Sequence, residues 1–280
     1  MKICRYTKDS DVVRIGLVVD HSTLLDLTPA GITRLQALLE ENDPAARLKS
    51  LSQANLPRHA LDQVRLCAPV ERQEVWAAGV TYLRSRDARK AESTVADMYQ
   101  KVYEAERPEI FSKSIGWRVS GSGEAIRIRK DSHWNVPEPE LVLVINRYNE
   151  IVGYCAGNDV SSRDIEGENP LYLPQAKVYN GSCALGHGIW LCEPETIADI
   201  PIRLQIRRAN ELIFDGEANT ATMKRTLPEL VEFLTRELDF PQGVFLMTGT
   251  CLVPDDFTLQ PEDEVMIQVG ETRIQNRVTS

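Results

Sequence analysis

Much of what would sort this chain into a large class is missing from it. No stretch approaches the roughly 18 uninterrupted apolar residues of a membrane span, and the opening "MKICRYTKDSDVVRIG" lacks the apolar core of a secretory leader. Six cysteines (Cys4, Cys67, Cys155, Cys183, Cys192, Cys251) are scattered without one CxxC. That spacing argues against a disulfide framework and against a zinc ribbon. Reduced, mostly buried thiols in a cytoplasmic protein are the expectation. There is no GxGxxG, no P-loop and no regular strand–helix alternation, which speaks against a doubly wound nucleotide fold. Positive charge is in deficit: 32 Lys and Arg face 41 Asp and Glu, a formal net charge of −9. A nucleic acid or an anionic membrane would reward a basic face, so neither is an expected partner. Internal repeats and low-complexity tracts are absent as well.

What is present has an ordinary globular composition, 42% hydrophobic and 26% charged, in 280 residues. That length suits one large domain or a small domain plus a larger one. Residues 1–66 read as a small N-terminal α+β domain. Here "DVVRIGLVV" alternates as a strand does, and "STLLDLT" follows a polar break. "AGITRLQALLEE" and "DPAARLKSLSQA" read as helices, the second opened by Asp43 as N-cap with Pro44 at the first helical position. Residues 67–280 form the second expected domain. Short strand-like runs dominate it: "EVWAAGV", "AIRIRK", "LVLVIN", "IVGYCAGNDV", "HGIWLC", "RLQIRRANELIFDGEA", "GVFLMTGT" and "EVMIQVG". Helical stretches interrupt them at "RDARKAESTVADMYQKVYEAE" and "TLPELVEFLTREL". The fold class is therefore expected to be α+β, with a mixed-β roll or barrel-like sheet after the small N-terminal unit.

One segment, "WNVPEPELVLVINRYNEIVGYCAGNDVSSRD" (134–164), sets acids at the ends of two apolar runs. Glu138 and Glu140 are two apart and so share a strand face, with Cα atoms roughly 6–7 Å apart. Let the polar break "NRYNE" be a hairpin turn with a two- or four-residue loop. Paired positions then sum to 297, and Asp159 lies opposite Glu138. Opposed residues share a face, so three carboxylates converge. A three-residue loop would change the parity and turn Asp159 to the reverse face. Converging carboxylates need compensating charge. Oxygen donors without histidine or thiolate suit Mg²⁺, Mn²⁺ or Ca²⁺ better than zinc. Three protein ligands leave about three of six octahedral positions open, as catalysis requires. The bland alternative is a solvated acidic strand end.

Together with "GVTY", "RPEIFSK", "QAKVYNGSCALG" and "MTGT", in that order across residues 67–279, this segment resembles the fumarylacetoacetate hydrolase family. The resemblance implies a mixed-β roll, a magnesium or manganese ion, and a homodimer or homotetramer. It implies Glu138, Glu140 and Asp159 as metal ligands, Lys177 in "QAK" beside metal and substrate, and Thr250 in "TGT" at the substrate carboxylate. The sequence departs from the family at Gly79–Ser85, "GVTYLRS". Ser85 stands where the hydrolases carry an acid–base histidine, and Thr81 where they carry asparagine. A serine hydroxyl does not titrate near neutrality, which weakens the case for carbon–carbon hydrolysis.

"GVTYLRSRDAR", "VYEAERPEIFSK", "PEPEL" and "DIEGENPLYLPQAKVYNG" are instead similar to the branch of 2-keto-3-deoxy sugar-acid dehydratases. The implied activity is Mg²⁺-dependent dehydration of a 2-keto-3-deoxy sugar acid, such as the D-arabinonate, to 2,5-dioxopentanoate. Glu109 in "RPEIF" is the candidate general acid/base and Lys177 a second catalytic candidate. Ser85, Arg86, Lys113, Lys177 and Thr250 are candidates for holding substrate, with Arg84 a weaker one. "IEGENPLYLP" reads as a polar loop that either closes over substrate or crosses rigidly. His133 reads as a loop residue and His187 as one packed against backbone. The competing functions are a metal-dependent C–C hydrolase of an acylpyruvate or diketo acid, and a non-catalytic metabolite-binding protein on the same fold.

Overall fold

The computed structural model describes residues 1–83 and 96–280. Its centre is the hairpin of strands Pro139–Ile145 and Ile151–Asp159. Strand Pro139–Ile145 is buried at every position, which is why "LVLVI" is continuously apolar: both of its faces meet a core. On one face Leu141, Leu143, Tyr154 and Ala156 pack with Leu204, Ile206, Val265, Ile267 and Ile274 of a second sheet. On the other, Val142, Val144 and Cys155 pack with Ile3, Ile15, Leu17, Leu35 and Leu38 from the N-terminal region.

Among the described residues the larger sheet has 12 strands. Val244–Met247, Glu74–Gly79 and Glu109–Ile115 continue it on one side of the hairpin, with a parallel pairing between the first two of these. On the other side, Ile189–Leu191 leads to Lys2–Thr7, Arg14–Val18, Thr23–Asp26 and Arg58–Ala60, so the N-terminal strands extend the same sheet. The second sheet, among the described residues, has five strands in the order Glu211–Asn219, Pro201–Arg208, Glu264–Val269, Thr272–Thr279 and Ala125–Arg127. Thr272–Thr279 alternates buried and exposed residues along nearly its whole length, the pattern of a sheet with one face in the core and one in water.

Several local readings hold. Asp43 caps the helix Pro44–Ser52 by accepting the Ala46 N–H at 2.7 Å, with Pro44 in the first turn. Thr226 and Glu229 form a reciprocal capping box on helix Leu227–Thr235. All six cysteines are free, and no described helix is long and apolar enough to cross a membrane.

Others are corrected. "AGITRLQALLEE" is not one helix: Gly31, with φ +87°, ends a 3-10 turn at Thr28–Ala30 before the short helix Leu35–Leu39 begins. "IEGENPLYLP" is not an irregular loop. It runs through helix Arg163–Glu168, the 3-10 turn Pro170–Tyr172 and helix Leu173–Lys177. Asn169 accepts the Leu171 N–H at 3.0 Å, and each proline sits in a first turn, where its missing N–H costs nothing. "RPEIFSK" supplies a strand, Glu109–Ile115, that hydrophobic patterning did not single out. Of the expected helix at 86–106, Ala96–Glu104 is seen and 86–95 lies outside the described residues.

Candidate active site

The hairpin turn decides whether the acids meet. Asn146 N–H donates to Glu150 O, Asn149 has φ +64°, and three residues form the loop. By parity alone that loop would turn Asp159 away. A β-bulge restores it: Val144 pairs with Gly153 but Ile145 with Ile151, so Val152 is the extra residue. Beyond the bulge the register is the expected one, with Pro139 opposite Asn158 and Glu140 opposite Gly157. The Asp159 N–H donates to Glu138 O at 3.0 Å.

Glu138, Glu140 and Asp159 consequently offer oxygens all within 4.8 Å of one another, and the three are 3%, 1% and 2% exposed. Cations surround two of them. Lys177 Nζ bridges Glu138 Oε2 at 2.7 Å and Asp159 Oδ2 at 3.0 Å. Arg163 reaches Glu138 Oε1 at 3.1 Å, and Lys113 pairs with Asp159 Oδ1 at 2.5 Å. Glu140 accepts the Gly249 N–H at 2.7 Å and makes no ion pair among the described residues. Burial, then the charges of Asp159 and Glu138, push its carboxyl well above the usual range.

The donor set fits a hard divalent cation. It is all oxygen, and each carboxylate oxygen keeps a second lone pair beside its present partner. The free space in the cleft lined by these residues is about 20 Å³, enough for one water or one ion. Cys183 lies opposite Asp159 in the sheet, but burial above all pushes its thiol up to about 12, so it offers no thiolate to a softer metal.

The other candidates fall around this trio. Glu109 and Thr250 line the same cleft, as does Lys177. Glu109, Phe111 and Lys113 share one strand face. Lys113, fully buried, donates to Val160 O at 3.1 Å and to Lys177 O at 2.5 Å besides pairing with Asp159. Its ammonium is thus engaged by protein acceptors. The Glu109 carboxylate lies over Gly79, where an added Cβ would sit 2.0 Å from its Oε2. Gly249, at φ +94°, brings its backbone to Glu140 where a side chain would strike Thr81. Thr81, in place of the family asparagine, donates to Thr248 O at 2.6 Å. Val80, β-branched and at φ +53°, lines the cleft in a left-handed conformation that such residues rarely adopt. Arg84, Ser85 and Arg86 lie outside the described residues. His133 is an exposed loop residue whose N–H donates to Asp164.

Sequence reasoning missed Arg163 and Glu166. Both sit on the short helix Arg163–Glu168, inside or beside the stretch read as a loop, and a helical reading would have set the two, three apart, on one helix face.

Residues 74–279 match the family model for the fumarylacetoacetate (FAA) hydrolase C-terminal domain. The chain belongs to the fumarylacetoacetate hydrolase family. Its FAA-hydrolase-like α+β fold, with helices set against mixed sheets, recurs at full length in solved relatives. Among its relatives is a probable 2-keto-3-deoxyxylonate dehydratase of Haloferax volcanii, 43% identical over 97% of this chain and 90% of that one. A 2-dehydro-3-deoxy-D-arabinonate dehydratase of Saccharolobus solfataricus is 38% identical over 96% of this chain and 93% of its own. A solved structure of 2-keto-3-deoxy-D-arabinonate dehydratase, complexed with magnesium and 2,5-dioxopentanoate, superposes with a TM-score of 0.84 at 32% identity, covering 100% of this chain and 99% of that one.

Proposed function

We propose that this protein is a magnesium-dependent dehydratase of a 2-keto-3-deoxy sugar acid, with 2-keto-3-deoxy-D-arabinonate as the type substrate and 2,5-dioxopentanoate as product. The observation that carries the reading is the buried trio Glu138, Glu140 and Asp159 beside Lys177, in a chain that aligns over nearly its full length with two sugar-acid dehydratases. Glu138, Glu140 and Asp159 would hold the magnesium ion, with manganese or calcium as substitutes, and the ion when bound supplies Lewis acidity beside the 2-keto oxygen.

The chain's own groups do the rest. Lys177 places a positive charge at the keto-acid end of the cleft and offsets the carboxylates when the site empties. Thr250 offers a hydroxyl to the substrate carboxylate. Lys113 holds Asp159 in its rotamer, a positioning role given the partners of its ammonium. Glu109 takes the proton from C3, which the adjacent ketone acidifies. Ser85 and Arg86 are assigned to the substrate hydroxyls on sequence resemblance alone.

We read residues 1–66 as the small N-terminal domain and 67–280 as the catalytic roll, the protein as cytoplasmic, and the assembly as a homodimer or homotetramer. The test is turnover of a panel of 2-keto-3-deoxy acids with and without chelator. Chelator-sensitive release of 2,5-dioxopentanoate is expected; release of pyruvate would make the protein a C–C hydrolase instead.

A further inference from the structure

Formation of 2,5-dioxopentanoate asks for proton transfer at two places. One is C3, next to the ketone. The other is one and two carbons further out, where the C4 hydroxyl leaves and C5 is later deprotonated. The proposed roles above supply a group only for the first.

The cleft contains a second carboxylate with no assigned task. Glu166 is 5% exposed, and one of its oxygens accepts the Ser161 hydroxyl at 2.7 Å, which fixes its rotamer. It comes from helix Arg163–Glu168, whereas Glu109 comes from the strand Glu109–Ile115. Both line the inner cleft with the trio. Both also line an outer cavity of about 310 Å³, walled by Met98, Tyr99, Val102, Pro170 and Leu173. The two carboxyl groups therefore stand where the inner cleft meets the outer space. A substrate with its keto-acid end at the trio must direct C4 and C5 toward that outer space.

Resting on the dehydratase reading, we infer that Glu166 is a second proton-transfer residue, acting at C4 and C5 while Glu109 acts at C3. The cycle begins with Glu109 ionised and Glu166 protonated. Glu109 takes the C3 proton, the C4–O bond breaks, and the Glu166 proton leaves with the hydroxyl as water. In the resulting 3,4-unsaturated keto acid, C5–H is acidified through the conjugated double bond. Glu166 takes that proton and Glu109 returns its own to C3, leaving an enol at C4–C5. Glu166 then gives its proton to C4 with one oxygen and accepts the enol O–H proton with the other. The aldehyde is formed, one water has been released, and both carboxyls regain their starting states.

The test compares Glu166→Gln and Glu109→Gln in the magnesium-loaded protein. Deuterium uptake at C3 is followed by NMR with 2-oxopentanoate, which has the keto acid and C3 but no hydroxyl. Product formation is followed with the 2-keto-3-deoxy acid. Glu166→Gln should keep C3 exchange within about threefold of wild type and lose dehydration by at least about 100-fold; Glu166→Asp should recover part of it. Glu109→Gln should lose both. Full dehydration by Glu166→Gln, or equal loss of exchange and dehydration in it, overturns the assignment. A wild-type protein that exchanges C3 protons but dehydrates no member of the panel overturns the dehydratase reading itself, and is recognised from the wild-type control alone.

Discussion

Replacing Glu140 by glutamine should separate stability from function in opposite directions. The glutamine carbonyl can still accept the Gly249 N–H, so shape and hydrogen bonding survive. What disappears is the one carboxyl of the three with no ion pair among the described residues, whose ionised form burial and the neighbouring carboxylates disfavour. Ionised, it would lie within 4.8 Å of each neighbouring carboxylate, a repulsion of at least roughly 3 kcal/mol per pair at an effective dielectric of about 20. Lys177 offsets a part of this. The metal-free variant should therefore melt no lower than metal-free wild type, and about 2–4 °C higher if 1–2 kcal/mol is relieved, since a chain of this length shifts by about 2 °C per kcal/mol.

Magnesium should reverse the ranking. At a hundredfold excess over Kd it stabilises wild type by about 2.7 kcal/mol, or about 5 °C. Glu140→Gln should show almost none of that shift and at least about 100-fold less activity, because even the neighbours of metal ligands are commonly worth about 10–100-fold. Differential scanning fluorimetry with chelator and with 10 mM-scale magnesium reads both effects. A Glu140→Gln protein that keeps the full magnesium shift would show that the ion binds elsewhere, and the site would have to be abandoned.

Three further outcomes follow from the geometry. Burial, then Lys2 and Arg273, lower the His187 imidazole from 6.5 to about 4. The unfolded chain protonates near pH 6.5 and the folded one only near 4, so this contribution is intact above 6.5 and is lost as pH falls from 6.5 to 4. It amounts to about 3 kcal/mol, and denaturant melts of His187→Asn against wild type at pH 7 and 4.5 should show a smaller acid loss in the variant. Gly79→Ala should cut turnover by at least about 100-fold while leaving the melting temperature within a few degrees, because the new Cβ meets the far end of Glu109 rather than backbone; unchanged turnover would free Glu109 of its role. Thr226→Ala should cost about 1 kcal/mol, near 2 °C in a thermal melt, by removing the acceptor of the Glu229 N–H.

Local chemistry was legible wherever a residue answers to its near neighbours. Asp43 with Pro44 announces a helix start, "TLPELVEFLTREL" reads as a helical stretch, and the i, i+2 spacing of Glu138 and Glu140 fixes a common face whatever they pack against. Continuous burial of "LVLVI" was also readable as a run, although not that its second face is covered by the N-terminal region. The "IEGENPLYLP" stretch misled because its polarity and two prolines resemble a loop. Prolines in first turns are equally compatible with short helices, and that choice hid Arg163 and Glu166.

The convergence of Asp159 with the glutamates was reached through a premise the structure replaces. The turn has three residues, not two or four, and Val152 bulges to bring the parity back. Sequence alone determined which residues carry oxygen, which strand face holds two of them, and that Asp43 caps a helix, because those follow from covalent order and from contacts within a few positions. Only the tertiary structure decided that the third acid joins them, that Lys177, Arg163 and Lys113 close around the trio, and that Glu166 enters the cleft. Those placements depend on one extra residue in a ladder and on the packing of elements 20 to 60 positions apart, and nothing in the local pattern reports the energy of either.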